Sequence, residues 1–399
     1  MSRNAAKTLG FNVTGRAAWL TFAVILALAT AACTPTPPDG GGPPGTGSAT
    51  AAPSTGAPST GTPSNGASAR PQSPTAAPGT GKPGHVFVIN LENKGYEKVW
   101  GAGSEAPYLA KTLRANGVLL SDYYGIAHHS NANYLAQISG QASNAMTRDD
   151  CPTYAPFTQT GSAGQGQVQG TGCVYPASVP TVAGQLSSAG KTWKGYMEDM
   201  KTPCRHPELG AKDDDQKAKV DDQYATRHNP FVYFEEITSS PECQNNVVDF
   251  TELAGDLQSI ATTPALSYIT PNLCNDGHDA PCVDGSPGGL ASADSWLRQQ
   301  IPTILESPAF KKDGVLVITF DESEGNTGGP SGIPGGTAGG KIGALVLSPF
   351  TKGGTTSDKP YNHFSLLGSI EDIFSLPHLG YAGAPGLNRF GADVFNARS

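Results

Sequence analysis

Two runs constrain this chain more than any others: HVFVINLE at 85–92 and GVLVITFDE at 314–322. Each is almost wholly β-branched, aliphatic or aromatic, with no alternation of polar and apolar positions. A strand with one wet face alternates. A strand that does not must be covered on both faces, which is the habit of a parallel sheet layered between helices. Each run also breaks at once into carboxylates, Glu92 in the first and Asp321-Glu322 in the second.

The rest of the ordered sequence fits that frame. VLLSDYYG (118–125), the strand half of VPTVAGQLSSAGKTWKGYME (179–198), ALSYITPN (265–272) and KIGALVLSPF (341–350) read as further strands. PYLAKTLRANG (107–117), a helix beginning near Ser130, the segment after Val179, SADSWLRQQIPTILESPAF (292–310, with Ser or Asp at its start) and HFSLLGSIEDIF (363–374) read as helices. Strands alternating with helices predict an α/β domain: a mostly parallel central sheet with helices on both faces. It should occupy residues 85–399, with no internal linker.

The amino-terminal part has another character. Arg3, Lys7 and Arg16 precede the apolar run AAWLTFAVILALATAA, which exits through small residues before Cys33. This is the pattern of a signal peptide over 1–32. TAAC resembles a bacterial lipobox, with Thr30 where that motif prefers Leu, so lipidation of Cys33 is expected, with plain secretion after cleavage near Ala32 as the alternative. Residues 33–84 are almost entirely Pro, Gly, Ser, Thr and Ala, a composition that cannot bury a core and reads as a disordered tether. The chain should be an exported, cell-surface or secreted protein, touching membrane through its lipid alone. Six cysteines follow Cys33, and their order suggests the pairs 151–173, 204–243 and 274–282. The net charge of -8 argues against a nucleic-acid partner.

The chemistry sits where the strands end. In open α/β sheets ligands gather beyond the carboxyl ends of the strands. Glu92-Asn93, the Asn272–Asp279 segment and Asp321-Glu322 all occupy such ends. Carboxylates brought together repel one another unless a cation lies between them, so a divalent metal site is expected. HHSNANY (128–134) places Ser130 at a helix start, where it is either a plain helix cap or a nucleophile. On that motif alone the cap is the simpler reading. Asn133, one turn along, can donate to a phosphoryl oxygen, and His128 can serve as acid or base. The acidic run KDDDQKAKVDD (212–222) reads as a solvated loop, with Ca²⁺ as the alternative.

HVFVINLENKGYEKVWG, APYLAKTLRANGVLLSDYYGIAHHSNANYLAQISG, TWKGYMEDM, HNPFVYFEEI, SYITPNLCNDGHD, VLVITFDESEG and YNHFSLLGSIEDIFSLPHLG together resemble the bacterial phosphoesterase family of phospholipases C and metal-dependent acid phosphatases. They span nearly all of 85–380, in family order. The resemblance implies an alkaline-phosphatase-like fold. It implies Glu92, Asn93, Asp321 and Glu322 as metal ligands with Ser130 as nucleophile and ligand, and Asn133 on phosphate. His363 is implied near phosphate or a second metal, and Asp276, His278 and Asp279 match the middle motif; Asp276, His278 and His363 are the candidate ligands of a second metal. The family's HPSLPNY reads HHSNANY here, so both prolines are replaced. The residues and the resemblance together give an expected exported acid phosphatase. It would use one or two divalent ions, take phosphate esters with phospholipids and phosphoinositides among the candidates, and pass through phosphoserine. His128 or His363 would protonate the leaving alcohol. A phospholipase C-type diesterase and a non-catalytic surface binding protein are the alternatives. Glu198 is expected either in the pocket or in an ion pair.

Overall fold

The computed structural model describes residues 81–325 and 339–397. The expected signal peptide, the expected lipidation position Cys33 and the expected tether up to residue 80 lie outside the described residues. The center of the molecule is one eight-stranded sheet. Its strands are β1 (His85–Leu91), β2 (Val118–Leu120), β3 (Trp193–Met197), β4 (Val247–Asp249), β5 (Leu266–Thr270), β6 (Gly314–Phe320), β7 (Ala344–Leu347) and β8 (Thr355–Ser357). They lie in the order β8-β2-β7-β6-β1-β5-β3-β4. β7 runs antiparallel to both neighbours and every other pairing is parallel.

The two apolar runs of the sequence are the central neighbours β1 and β6, buried along their whole length as their composition demands. Their register runs from His85↔Gly314 to Leu91↔Phe320. The next residue on each strand is a carboxylate, so Glu92 and Asp321 leave the sheet side by side. Backbone bonds tie these ends together: Asp321 N donates to Leu91 O (2.8 Å), and Glu92 N donates to Asp276 O (2.9 Å).

Three longer helices matter for the site: α1 (Ser130–Ser139), α2 (Gly289–Glu306) and α3 (His363–Phe374). Every residue of α1 is buried. Its polar residues Ser130, Tyr134 and Gln137 fall at i, i+4 and i+7, one stripe of a helix. That stripe lies on Asn90 and Glu92, which share one face of β1 because they are two apart. α3 begins with a reciprocal capping box between Asn362 and Ser365, which places His363 in its first turn.

Two helices differ from expectation. Residues 108–113 form a wide π-type turn and 114–116 a 3₁₀ turn, not a regular α-helix. Asp294 accepts from the Tyr108 and Leu109 amides at the start of that segment (3.1 and 2.8 Å). It is therefore not the cap of its own helix, which starts earlier at Gly289 after Gly288 with φ 67°; a short helix, Pro308–Asp313, follows separately. The exposed hairpin Thr158–Ala163/Gln167–Thr171 has no apolar pattern to announce it. All three disulfides join the pairs the cysteine order suggests: Cys151–Cys173, Cys204–Cys243 and Cys274–Cys282.

Candidate active site

Ser130 opens α1 beyond the ends of β1 and β6. Its hydroxyl donates to Glu92 Oε2 at 2.8 Å, and the same oxygen accepts from Asn93 Nδ2 at 2.7 Å. Tyr134, one turn further, donates to the other oxygen, Glu92 Oε1, at 2.5 Å. Asn93 has φ 54°, and its amide donates to Asp321 Oδ1 at 2.9 Å. Asp276 completes the group from the loop after β5. His228 lies between, with Nε2 3.5 Å from Glu92 Oε1 and Nδ1 3.5 Å from Asp276 Oδ2, its ring stacked on Tyr134 at 5.2 Å. Side chains distant in sequence thus meet around one hydroxyl.

The electrostatics of this cluster are costly. Glu92, Asp276 and Asp321 are each 0% exposed. Burial pushes Glu92 well above the usual carboxylate range, and the charges of Asp321 and Asp276 add to it. Burial raises Asp276 to about 7 and Asp321 to about 6. His228 is held well below its usual value, first by burial and then by the neighbouring Arg227. Asp276 Oδ2, Asp321 Oδ2 and His228 Nε2 are buried without a hydrogen-bond partner. Orphaned acceptors among fully buried carboxylates are rare in proteins and call for a reason. Oxygen donors with one imidazole form a donor set that fits a divalent cation. Cys274, Cys282 and Asp284 also converge, but the two sulfurs are joined as a disulfide and offer no thiolate.

Over this cluster opens a cleft of about 280 Å³, lined by Asn93, His128, His129, Ser130, Asp150, His278, Glu322, Ser323 and Gly325. Its wall is polar throughout. His278 donates its backbone amide to Asp276 Oδ1 (2.7 Å), and its ring meets Asp279 Oδ1 at 2.7 Å, which raises its pKa. Asp150 accepts from Asn131 N at 2.9 Å and lies 3.9 Å from Arg227 Nε.

Several residues sit elsewhere than their sequence positions imply. Asn133 does not face the cleft: Oδ1 accepts from Ile126 N and Ala127 N, and Nδ2 donates to Ala127 O and His129 O. All its polar positions brace the loop before Ser130, leaving none for a phosphoryl oxygen. His363 is buried beneath Asp321, 2.6 Å from its carbonyl oxygen, and burial lowers its pKa to about 4. It reaches neither the cleft nor the Asp276–His278 loop, so it is not the acid that protonates a leaving group, nor a ligand with that pair. Glu322 accepts from His129 N at 2.9 Å and pairs with His128 Nδ1 at 2.6 Å. Both its oxygens hold the Ser130 loop, so it is a loop anchor, not a member of the buried triad. Glu198 is a strut: it accepts from Asn272 N, Asn275 Nδ2 and Trp296 Nε1.

Sequence reasoning missed Tyr134, Asp150, Arg227 and His228. Tyr134 was findable from its i+4 spacing to Ser130. His228 opens HNPFVYFEEI, one of the stretches that carry the resemblance, but it follows no strand and has no helical spacing to Ser130.

Residues 102–377 match the Phosphoesterase family. Glu92 and Asn93 lie ahead of that span. The chain is 28% identical over 294 residues to a probable acid phosphatase of Kluyveromyces lactis, covering 74% of this chain and 59% of that protein. It is 29% identical over 317 residues to an acid phosphatase of Aspergillus fumigatus, covering 79% and 60%. The chain therefore spans about three fifths of the length of these fungal relatives. A phosphatidylinositol-3-phosphatase of Mycobacterium tuberculosis is 26% identical over 298 residues, covering 75% of this chain and 79% of that one. Among solved structures, a protein in the alkaline phosphatase superfamily from Vibrio parahaemolyticus is similar at 12% identity and TM-score 0.45, covering 75% and 68%. With its match running over most of the folded chain, the protein belongs to the phosphoesterase family.

Proposed function

We propose that this chain is an exported, divalent-metal-dependent phosphatase that hydrolyses phosphate monoesters through a phosphoserine on Ser130. The observation that carries this reading is the Ser130 hydroxyl on Glu92, at the mouth of a buried carboxylate cluster with orphaned oxygens. A divalent cation held by Glu92, Asn93, Asp276 and Asp321 would neutralise phosphoryl charge and acidify the serine hydroxyl.

The chain's own groups then do the following. Ser130 Oγ, its proton directed at Glu92, attacks phosphorus and the ester P–O bond breaks. His128, on the cleft wall and oriented by Glu322, protonates the departing alcohol. Water cleaves the phosphoserine to inorganic phosphate and restores Ser130. Tyr134 and Asn93 hold Glu92, so the nucleophile's partner does not wander.

The cleft's modest size supports a phosphoryl group with a small polar neighbour. The fungal and mycobacterial relatives support a monoester, with a phosphorylated inositol lipid among the substrates to assay. The three disulfides support an oxidising compartment. Turnover of para-nitrophenyl phosphate against its phosphocholine diester, with single metals restored after chelation, tests the reading. Ser130→Ala should lose roughly 10⁴-fold or more in kcat. Full turnover by that variant, or preference for the diester, would overturn it.

A further inference from the structure

Beneath the cleft lies a second, fully buried polar assembly that the chemistry above does not use. Gln137, the last member of the α1 stripe, donates from Nε2 to Asn90 Oδ1 (3.0 Å) and approaches His363 Nδ1 at 3.1 Å. Its Oε1 accepts from Tyr268 OH at 2.8 Å. Tyr123 OH also reaches His363 Nδ1, at 3.2 Å. On the opposite side of the ring, His363 Nε2 meets Asp321 O at 2.6 Å. Gln137 is 1% exposed, and Asn90 and His363 are each 0% exposed.

The geometry fixes the roles. A carbonyl oxygen only accepts, so Nε2 carries the proton. The imidazole then presents an unprotonated Nδ1, which needs donors, and Gln137 and Tyr123 supply them. Gln137 also ties α1, which carries Ser130, to Asn90, two residues before Glu92 on the same strand face. One side chain thus reaches both the strand that bears Glu92 and the ring that holds the Asp321 peptide.

We propose that Gln137 is a positioning residue of this site: it fixes the register of α1 on β1 and, through His363, the placement of Asp321 relative to Ser130. It touches neither cleft nor substrate. The inference rests on the phosphatase reading for its kinetic arm alone.

The test has two arms on the full chain. Long-range ¹H–¹⁵N NMR of the histidines reads the His363 tautomer without any turnover; a protonated Nδ1 in the wild type would overturn the assignment. The kinetic arm compares wild type, Gln137→Leu and Gln137→Glu with para-nitrophenyl phosphate. Gln137→Leu should lose about 10- to 100-fold in kcat with KM within about twofold, the usual cost of disturbing an outer support. Gln137→Glu keeps size and the Tyr268 acceptor, leaves at most one donor for the two acceptors Asn90 Oδ1 and His363 Nδ1, and should fall in the same direction; it carries the test where the leucine variant does not fold. A purely structural role would lower Tm but leave kcat per folded molecule unchanged, and that result would sink the proposal. Absence of turnover in the wild type would count against the phosphatase reading, while the tautomer arm would still decide His363.

Discussion

Two acidic regions of this protein have opposite physics. In the 212–222 run, Arg205 lays its guanidinium across Asp215 and Asp222, with bonds of 2.8 to 3.1 Å. Lys219 adds a third partner, and Asp213, though buried, accepts from Asp215 N, Thr226 Oγ1 and Gln216 Nε2. Asp213, Asp215 and Asp222 are thus each held by donors of the protein itself. At the ends of β1 and β6 and in the loop after β5, Glu92, Asp276 and Asp321 are more deeply buried, and no Lys or Arg pairs with them within salt-bridge distance among the described residues. Satisfied acids build a loop. Buried acids gathered round one point with oxygens left over are what the proposed cation would satisfy.

Substitution should separate the two regions. Asp276→Asn should lower kcat by about 10²-fold or more and abolish any rise in Tm on adding divalent cation. In chelated protein the same change should raise Tm. The sign follows from linkage: a carboxyl held at about 7 stabilises the fold at low pH and withdraws that support as pH rises through 7. The gain should therefore be full at pH 8, smaller at pH 5, and vanish only below the unfolded pKa of 3.8. Thermal melts at both pH values, with and without chelator, check this. A lower Tm at pH 8 in chelated Asp276→Asn would break the comparison.

Arg205→Met should do the reverse. Losing charge-assisted bonds to two carboxylates should cost about 1–3 kcal/mol of stability, read by urea unfolding, with kcat per folded molecule unchanged. A comparable loss of kcat would mean the loop acts on the site, which Arg227 Nη1, bonded to Gln216 O, makes worth measuring.

A third carboxylate sharpens the rule away from both regions. Glu371 in α3 is buried; one oxygen accepts from Leu379 N at 2.9 Å and the other has no partner. Burial raises it to about 8. It stabilises the fold below the unfolded pKa of 4.5, and that contribution fades as pH rises through 8. Glu371→Gln keeps the acceptor and removes the charge. Its Tm advantage over wild type should be near zero at pH 5 and reach several degrees at pH 8.5. The smallest effect belongs to Asp214→Asn: the Lys212–Asp214 pair is exposed on both sides, and its loss should stay within about 0.5 kcal/mol.

These contrasts also show what the sequence discloses. Glu92 and Asp321 were legible because an apolar strand that stops on a carboxylate points to the sheet edge, and parallel register makes neighbours of such ends. The disulfides were legible from order. Asn133 was not: its place in HHSNANY suggests a substrate contact, but the loop's backbone claims its amide first. His363 heads a helix, and only tertiary packing decides that the ring turns under Asp321. His228 arrives on irregular chain, where no periodicity predicts direction. Side chains that continue a strand, or keep helical spacing to Ser130, could be placed; those whose direction is decided by loop backbone or tertiary packing required the fold.

Crystals grown with Mn²⁺ and measured for anomalous scattering give the most direct test of the central claim. The account predicts a peak within about 2.0–2.3 Å of oxygens from Glu92 and Asp321, beside Ser130 Oγ. A peak confined to the Asp213–Asp222 loop, or none at Glu92 and Asp321, would contradict it.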